Sequence, residues 1–136
     1  MLVIALDTNI LVRSVLDDDS ALCAHARRLI ARVPCHVSLF AIGEMGHVLA
    51  SVYGAEPPAL ASACRALLDL PNIECEHEDR LRLALDGVEL GVDWADALLW
   101  AATPVNAILL TYDKAFAKRA AILGWNVECR LPKAGK

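Results

Sequence analysis

The chain has no C-x-x-C pair, no glycine-rich phosphate loop and no apolar run of membrane-spanning length. Its five cysteines, Cys23, Cys35, Cys64, Cys75 and Cys129, form an odd and unpatterned set. That pattern points to reduced thiols and a cytoplasmic protein. Cys35-His36 and Cys75-x-His77 are too sparse to supply the four ligands of a structural zinc site. Without the glycines of a phosphate loop, a nucleotide-binding domain of that type is excluded. Apolar runs such as residues 2–6 and 97–102 fall far short of the roughly 20 residues a spanning helix needs, so no membrane association is expected. No basic segment precedes the first of these runs, and Asp7 ends it at once, so it reads as a strand and not a signal peptide. Excess positive charge is missing too. The formal net charge is −4, whereas most nucleic-acid binders are basic. The objection weakens where carboxylates are clustered around bound cations.

What the chain does have is apolar mass. Hydrophobic residues make up 57% of 136 residues, enough for one sizeable core, and a single domain over residues 1–136 is expected. Residues 2–6 and 107–111 are short apolar runs without polar alternation, the pattern of central strands covered on both faces. Residues 36–38, 73–75 and 126–129 are weaker strand candidates. Between them lie helical stretches. Thr8-Asn9 open one after Asp7. Ser20 is placed to cap a helix over 21–32, which Pro34 stops, and Ser38 to cap one running to 53, closed by Gly54. Further helices are expected over 59–68, 80–90, 94–102 and 114–123. Strands alternating with helices imply an α/β fold, a central and mostly parallel β-sheet flanked by helices on both sides. Sites in such sheets form at the carboxyl ends of the strands.

Asp7 and Asp113 stand at two such ends. Taken singly, each also reads as the N-cap of the helix that follows it. Glu44 lies in an otherwise apolar helix start, where a glutamate is rarely buried unless paired or bound to a metal. Its alternative is a solvated stripe with His47 and Ser51. In Asp93-Trp94-Ala95-Asp96, Asp93 suits the N-cap, which leaves Asp96 for chemistry because a capping box prefers Glu or Gln at its position. Four converging carboxylates repel one another and so take up protons or bind cations. An all-oxygen donor set favours Mg²⁺ or Mn²⁺, and ions so held activate water against a phosphodiester.

Asp7-Thr8-Asn9, Glu44 after Val37-Ser38, the segment from Asp93 through Asp96 to Leu98, and Thr111-Tyr112-Asp113 together resemble the four motifs of the PIN-domain family. More narrowly they resemble its VapC-type toxins, metal-dependent ribonucleases paired with an antitoxin. The likeness runs from Leu2 to about Val127. It implies that Asp7, Glu44, Asp96 and Asp113 are the catalytic metal ligands for Mg²⁺ or Mn²⁺. It further implies that Asn9 braces the site and that Thr111 orients Asp113 or a water at the metal. The substrate would be RNA and the partner a cognate antitoxin protein, in the cytoplasm. Arg13 and Lys114, each within two helical turns of a proposed ligand, are the best phosphate contacts. The remaining basic residues read as solvated surface. The apolar share also exceeds what one small core hides, so a homodimer is expected. Two other classes fit less well. A phosphotransfer domain would want an acid two residues after Asp7, where Asn9 stands, or adjacent acids directly after the first strand. A catalytically silent PIN-like binding module finds no support in the chain, which has all four acids.

Overall fold

Ser20 Oγ accepts the Cys23 N–H at 3.3 Å and Ser38 Oγ accepts that of Ala41 at 3.1 Å, so both serines start their helices as the sequence implied. A computed structural model of the protein describes residues 2–133. Its elements run β1 (Ile4–Ala5), α1 (Thr8–Val15), α2 (Ala21–Arg32), β2 (Cys35–Val37), α3 (Leu39–Ser51), α4 (Pro57–Leu68) and β3 (Ile73–Cys75). They continue α5 (Glu78–Glu89), α6 (Trp94–Ala102), β4 (Leu109–Thr111), α7 (Lys114–Leu123) and β5 (Val127–Cys129). Helix α4 begins two residues earlier than the pattern implied, because prolines are tolerated in a first helical turn that needs no N–H donors.

Every strand pairing is parallel. The order in one sheet is β1-β2-β3, with Ile4 opposite Cys35 and Cys35 opposite Ile73. In a second sheet β4 pairs with β5, Leu109 opposite Val127. Helices flank these strands, giving an α/β fold. Leu11, Ile42, Met45, Leu67, Leu81 and Leu85 are fully buried, so the core lies mainly among α1, α3, α4 and α5.

The expectation of central strands at 2–6 and 107–111 needs correction. The central strand of the first sheet is β2, one of the weaker candidates. Pro34, just before β2, accepts the Ile4 N–H at 3.0 Å but has no N–H to extend the ladder. Leu2 is therefore left outside the sheet and 82% exposed. Likewise Ile108 and Leu110 are exposed, because β4 pairs on one side only among the described residues. Apolar content alone does not say which strand gains two neighbours.

Two tryptophans lock the later helices in place. The Trp94 ring lies over Gly46 of α3, where a Cβ would overlap the indole, and its Nε1–H donates to the Gly43 carbonyl at 3.0 Å. Trp125 lies over Gly87 of α5 in the same way. It stacks on Trp100 of α6, with ring centres 4.1 Å apart and planes 5° from parallel. Arg80 completes the pile, its guanidinium 3.7 Å from the Trp100 ring centre. One Arg80 Nη2 donates to the carbonyls of Trp100 and Thr103 at 3.0 and 3.1 Å, closing the carboxyl end of α6.

Gly43 and Gly46 sit in one helix but meet different surroundings, so alanine should act on them in opposite directions. At Gly46 the overlap with Trp94 should cost about 1–3 kcal/mol, more than the gain in helix propensity. At Gly43 the nearest side-chain atom to an added Cβ is 3.9 Å away, on Leu98. Gly43→Ala should therefore be neutral or stabilising by up to about 1 kcal/mol. Urea unfolding of the two variants gives the comparison; equal stabilities would mean that Trp94 is not seated on Gly46.

Candidate active site

Asp113 follows the carboxyl end of β4 and is the N-cap of α7. Its Oδ1 accepts the Phe116 N–H at 3.0 Å, and its own N–H donates to Thr111 Oγ1 at 3.0 Å. The cap commits one carboxylate oxygen and the threonine holds the turn, which leaves Oδ2 with no part in the cap. Asp93 caps α6, accepting the Ala95 N–H at 3.1 Å. One turn into that helix, Asp96 is half-buried. Burial raises its carboxyl pKa above the ordinary value, and the negative charges of Asp93 and Asp113 add to the rise. Asp96 and Asp113 are thus close enough to repel each other, and with Asp93 they line one cavity of about 380 Å³.

Glu44 lies in the adjoining groove, about 850 Å³ in volume, with His47 and Glu76. Asp93 and Trp94 border both spaces. Glu44 is exposed, as are His47 and Ser51 on the same helix. Its apolar sequence neighbours Ile42 and Met45 turn into the core instead. Asp7 stands apart from both spaces. It is exposed at the N-cap of α1, where its side chain makes no capping hydrogen bond, so the carboxylate stays uncommitted to the helix. Asn9 is exposed in the first turn of α1, and Lys114 is exposed beside Asp113. Arg13 is half-buried near the end of α1. Asp18 has its carboxyl held below the ordinary pKa first by the Ser20 N–H, then by the Ser20 hydroxyl, and more weakly by the charges of Arg13 and Arg27.

Two residues that the sequence did not single out also belong to this region. Glu76 Oε1 accepts the Leu39 N–H at 2.9 Å and so braces the start of α3 across from β3. It directly follows β3, but Glu74 interrupts the apolar pattern of that strand, so the signal that singled out Asp7 and Asp113 is weaker here. Arg119 of α7 lines the cavity that holds Asp96 and Asp113. Nothing in its spacing distinguished it from surface cations. No cysteine lines either space, and burial first of all pushes the thiols of Cys64 and Cys75 up to about 12.

Among the described residues, no three His, Cys, Asp or Glu side chains are arranged to hold one ion. The Asp96–Asp113 pair nevertheless fits a hard divalent cation. The donors are all oxygen, and a cation would relieve the repulsion that raises Asp96. Mg²⁺ in particular is commonly held by one or two carboxylates, with waters and substrate phosphates completing its shell. Asp7 and Glu44 are not brought into contact with the pair.

A family model described as PIN domain matches residues 4–122. No curated protein and no solved structure matches the chain. PIN domains are typically metal-dependent nucleases that use Mg²⁺ or Mn²⁺.

Replacing Asp96 separates capping from cation binding. A residue that merely supported the start of α6 would lose at most about 1 kcal/mol on Asp96→Asn. The fold disfavours the charged carboxylate here, so the neutral amide should leave the metal-free protein melting no lower at neutral pH. The gain in melting temperature from added Mn²⁺ should shrink at the same time. Thermal melts with and without Mn²⁺ test both, and an unchanged Mn²⁺ response would remove Asp96 from the site.

Proposed function

Because the chain belongs to the PIN-domain family, we propose that it is a divalent-metal-dependent endoribonuclease, the toxin of a type II toxin–antitoxin pair. The observation that carries the reading is the facing Asp96–Asp113 pair in an open cavity, with Thr111 and Phe116 holding Asp113 in position. In this reading Asp96 and Asp113 bind Mg²⁺ or Mn²⁺, directly or through water. Asp7, uncommitted at the end of β1, and Glu44, beyond Asp93, complete the acidic set when substrate and cation arrive. When bound, the ion supplies positive charge toward the phosphodiester oxygens and toward water.

The chain's own groups do the rest. Asp113 keeps one oxygen on the Phe116 N–H and presents the other. Thr111 fixes its backbone, and Asn9 braces the turn after Asp7. Lys114 and Arg13 meet the phosphates on either side of the cut. RNA is the substrate, cut where its strand is unpaired and its bases can be splayed. The cytoplasm suits such a substrate and reduced thiols. Among the described residues no helix is long and apolar enough to cross a membrane. Exposed Phe40 and Leu99, both lining the α3–α6 groove, support association with protein, either as a homodimer or with a cognate antitoxin.

A silent binding module built on the same fold is the second reading. The separation of Asp7 and Glu44 from the Asp96–Asp113 pair favours it. Cleavage of labelled single-stranded RNA decides between the two. Wild type should cleave with Mn²⁺ or Mg²⁺ and stop in EDTA, and Asp7→Asn should fall by about tenfold or more. Inert wild-type protein under both metals would favour the silent module. Light scattering at micromolar concentration should report a dimer; a monomer alone would count against self-association.

A further inference from the structure

The cavity beside Asp96 and Asp113 is larger than a hydrated ion needs. At about 380 Å³ it falls in the range of small-ligand pockets. Much of its lining is apolar, including Leu60, Val92, Trp94 and Phe116. The side chain of Arg119, itself exposed, forms part of that lining. One Nη1–H of Arg119 donates to the Gly91 carbonyl, and the guanidinium lies against the Gly91 backbone. Gly91 occupies the left-handed region at φ 101°, so this turn favours glycine.

Arg119 shares the cavity with three aspartates and pairs with none of them. Its side chain makes no ion pair among the described residues. The Gly91 carbonyl holds the guanidinium at the cavity wall, and four of its five N–H groups have no protein acceptor among the described residues. Such a guanidinium is suited to a phosphate.

We propose that this cavity binds one unpaired nucleotide next to the scissile phosphodiester, with its base against the apolar wall and its outer phosphate on Arg119. The proposal rests on the nuclease reading for the position of the cut, but the binding itself does not depend on turnover. A base already paired and stacked in a duplex cannot enter, so the pocket selects single strands.

The test is binding of a fluorescently labelled, uncleavable 2′-O-methyl single-stranded oligonucleotide in EDTA, read by polarisation across a salt series. Arg119→Ala should weaken binding by about tenfold and lower the salt slope by roughly one, the signature of one lost phosphate contact. Arg119→Lys should restore the slope. Ala115, exposed in the first turn of α7, also lines the cavity. Ala115→Trp should weaken binding by a similar factor with the slope unchanged, because it obstructs the base and removes no charge. A duplex of the same sequence should bind more weakly to wild type and respond less to both changes. Wild-type affinity in both Arg119→Ala and Ala115→Trp would overturn the proposal, as would a salt slope unaltered by Arg119→Ala. Mn²⁺-dependent cleavage with unchanged KM in both variants would remove the pocket and keep the nuclease. The expected binding pattern without any cleavage would keep the pocket and remove the nuclease.

Discussion

Trp94 can lie flat on α3 because no Cβ stands at Gly46, and its indole N–H reaches the Gly43 carbonyl from that position. The arrangement of the acidic region depends on this contact. It fixes α6 against α3, and with it the spacing between Glu44 on one helix and Asp93 and Asp96 on the other. Two glycines inside a helix cost about 1 kcal/mol each relative to alanine. At Gly46 the close seat of a large aromatic ring offsets that cost. The other end of α6 is held by a second tryptophan-on-glycine contact, Trp125 over Gly87, through the stack with Trp100 and Arg80. Asp96 lies between the two anchors, one helical turn from Trp100.

An anchored helix lets the fold carry an unfavourable electrostatic arrangement. Asp96 is half-buried and faces two like charges. A mobile carboxylate would swing into water to escape them. The caps use up other acids in a useful way: Asp93 is spent on the Ala95 N–H and one oxygen of Asp113 on the Phe116 N–H, so the roles of neighbouring carboxylates are separated by backbone geometry. Asp7 differs, because it occupies an N-cap position without capping. A carboxylate at a helix start that leaves the backbone donors alone is free to serve another partner.

The basic side chains divide along similar lines. Arg65 and Arg82 are each tied to two carboxylates across the α4–α5 surface, and Arg80 is absorbed by the tryptophan stack. Arg119 is tied only to a backbone carbonyl, so its charge stays available beside the acids.

Much of this was legible in the order of residues. Helix starts at Ser20, Ser38 and Asp93 follow from short-range hydrogen bonds that involve only two or three neighbouring positions, and so did the alternation of strands and helices that signals an α/β fold. Asp7 and Asp113 stand out because each follows an apolar run at an element boundary, and Asp96 because a capping box prefers Glu or Gln at its position. Other features depended on contacts between distant segments. β2 is central because Pro34 ends the ladder to β1 and β3 pairs along its other edge, which no run of apolar residues reveals. Glu44 turns outward because α3 is rotated by its packing on α1, α4 and α6. Glu76 and Arg119 matter through partners 37 and 28 positions away, Leu39 and Gly91. Local sequence sets which backbone groups can be capped and where the chain can turn. Which carboxylates then face one another is decided by how the side chains of α3, α5 and α6 fit together, and that fit exists only in the folded chain.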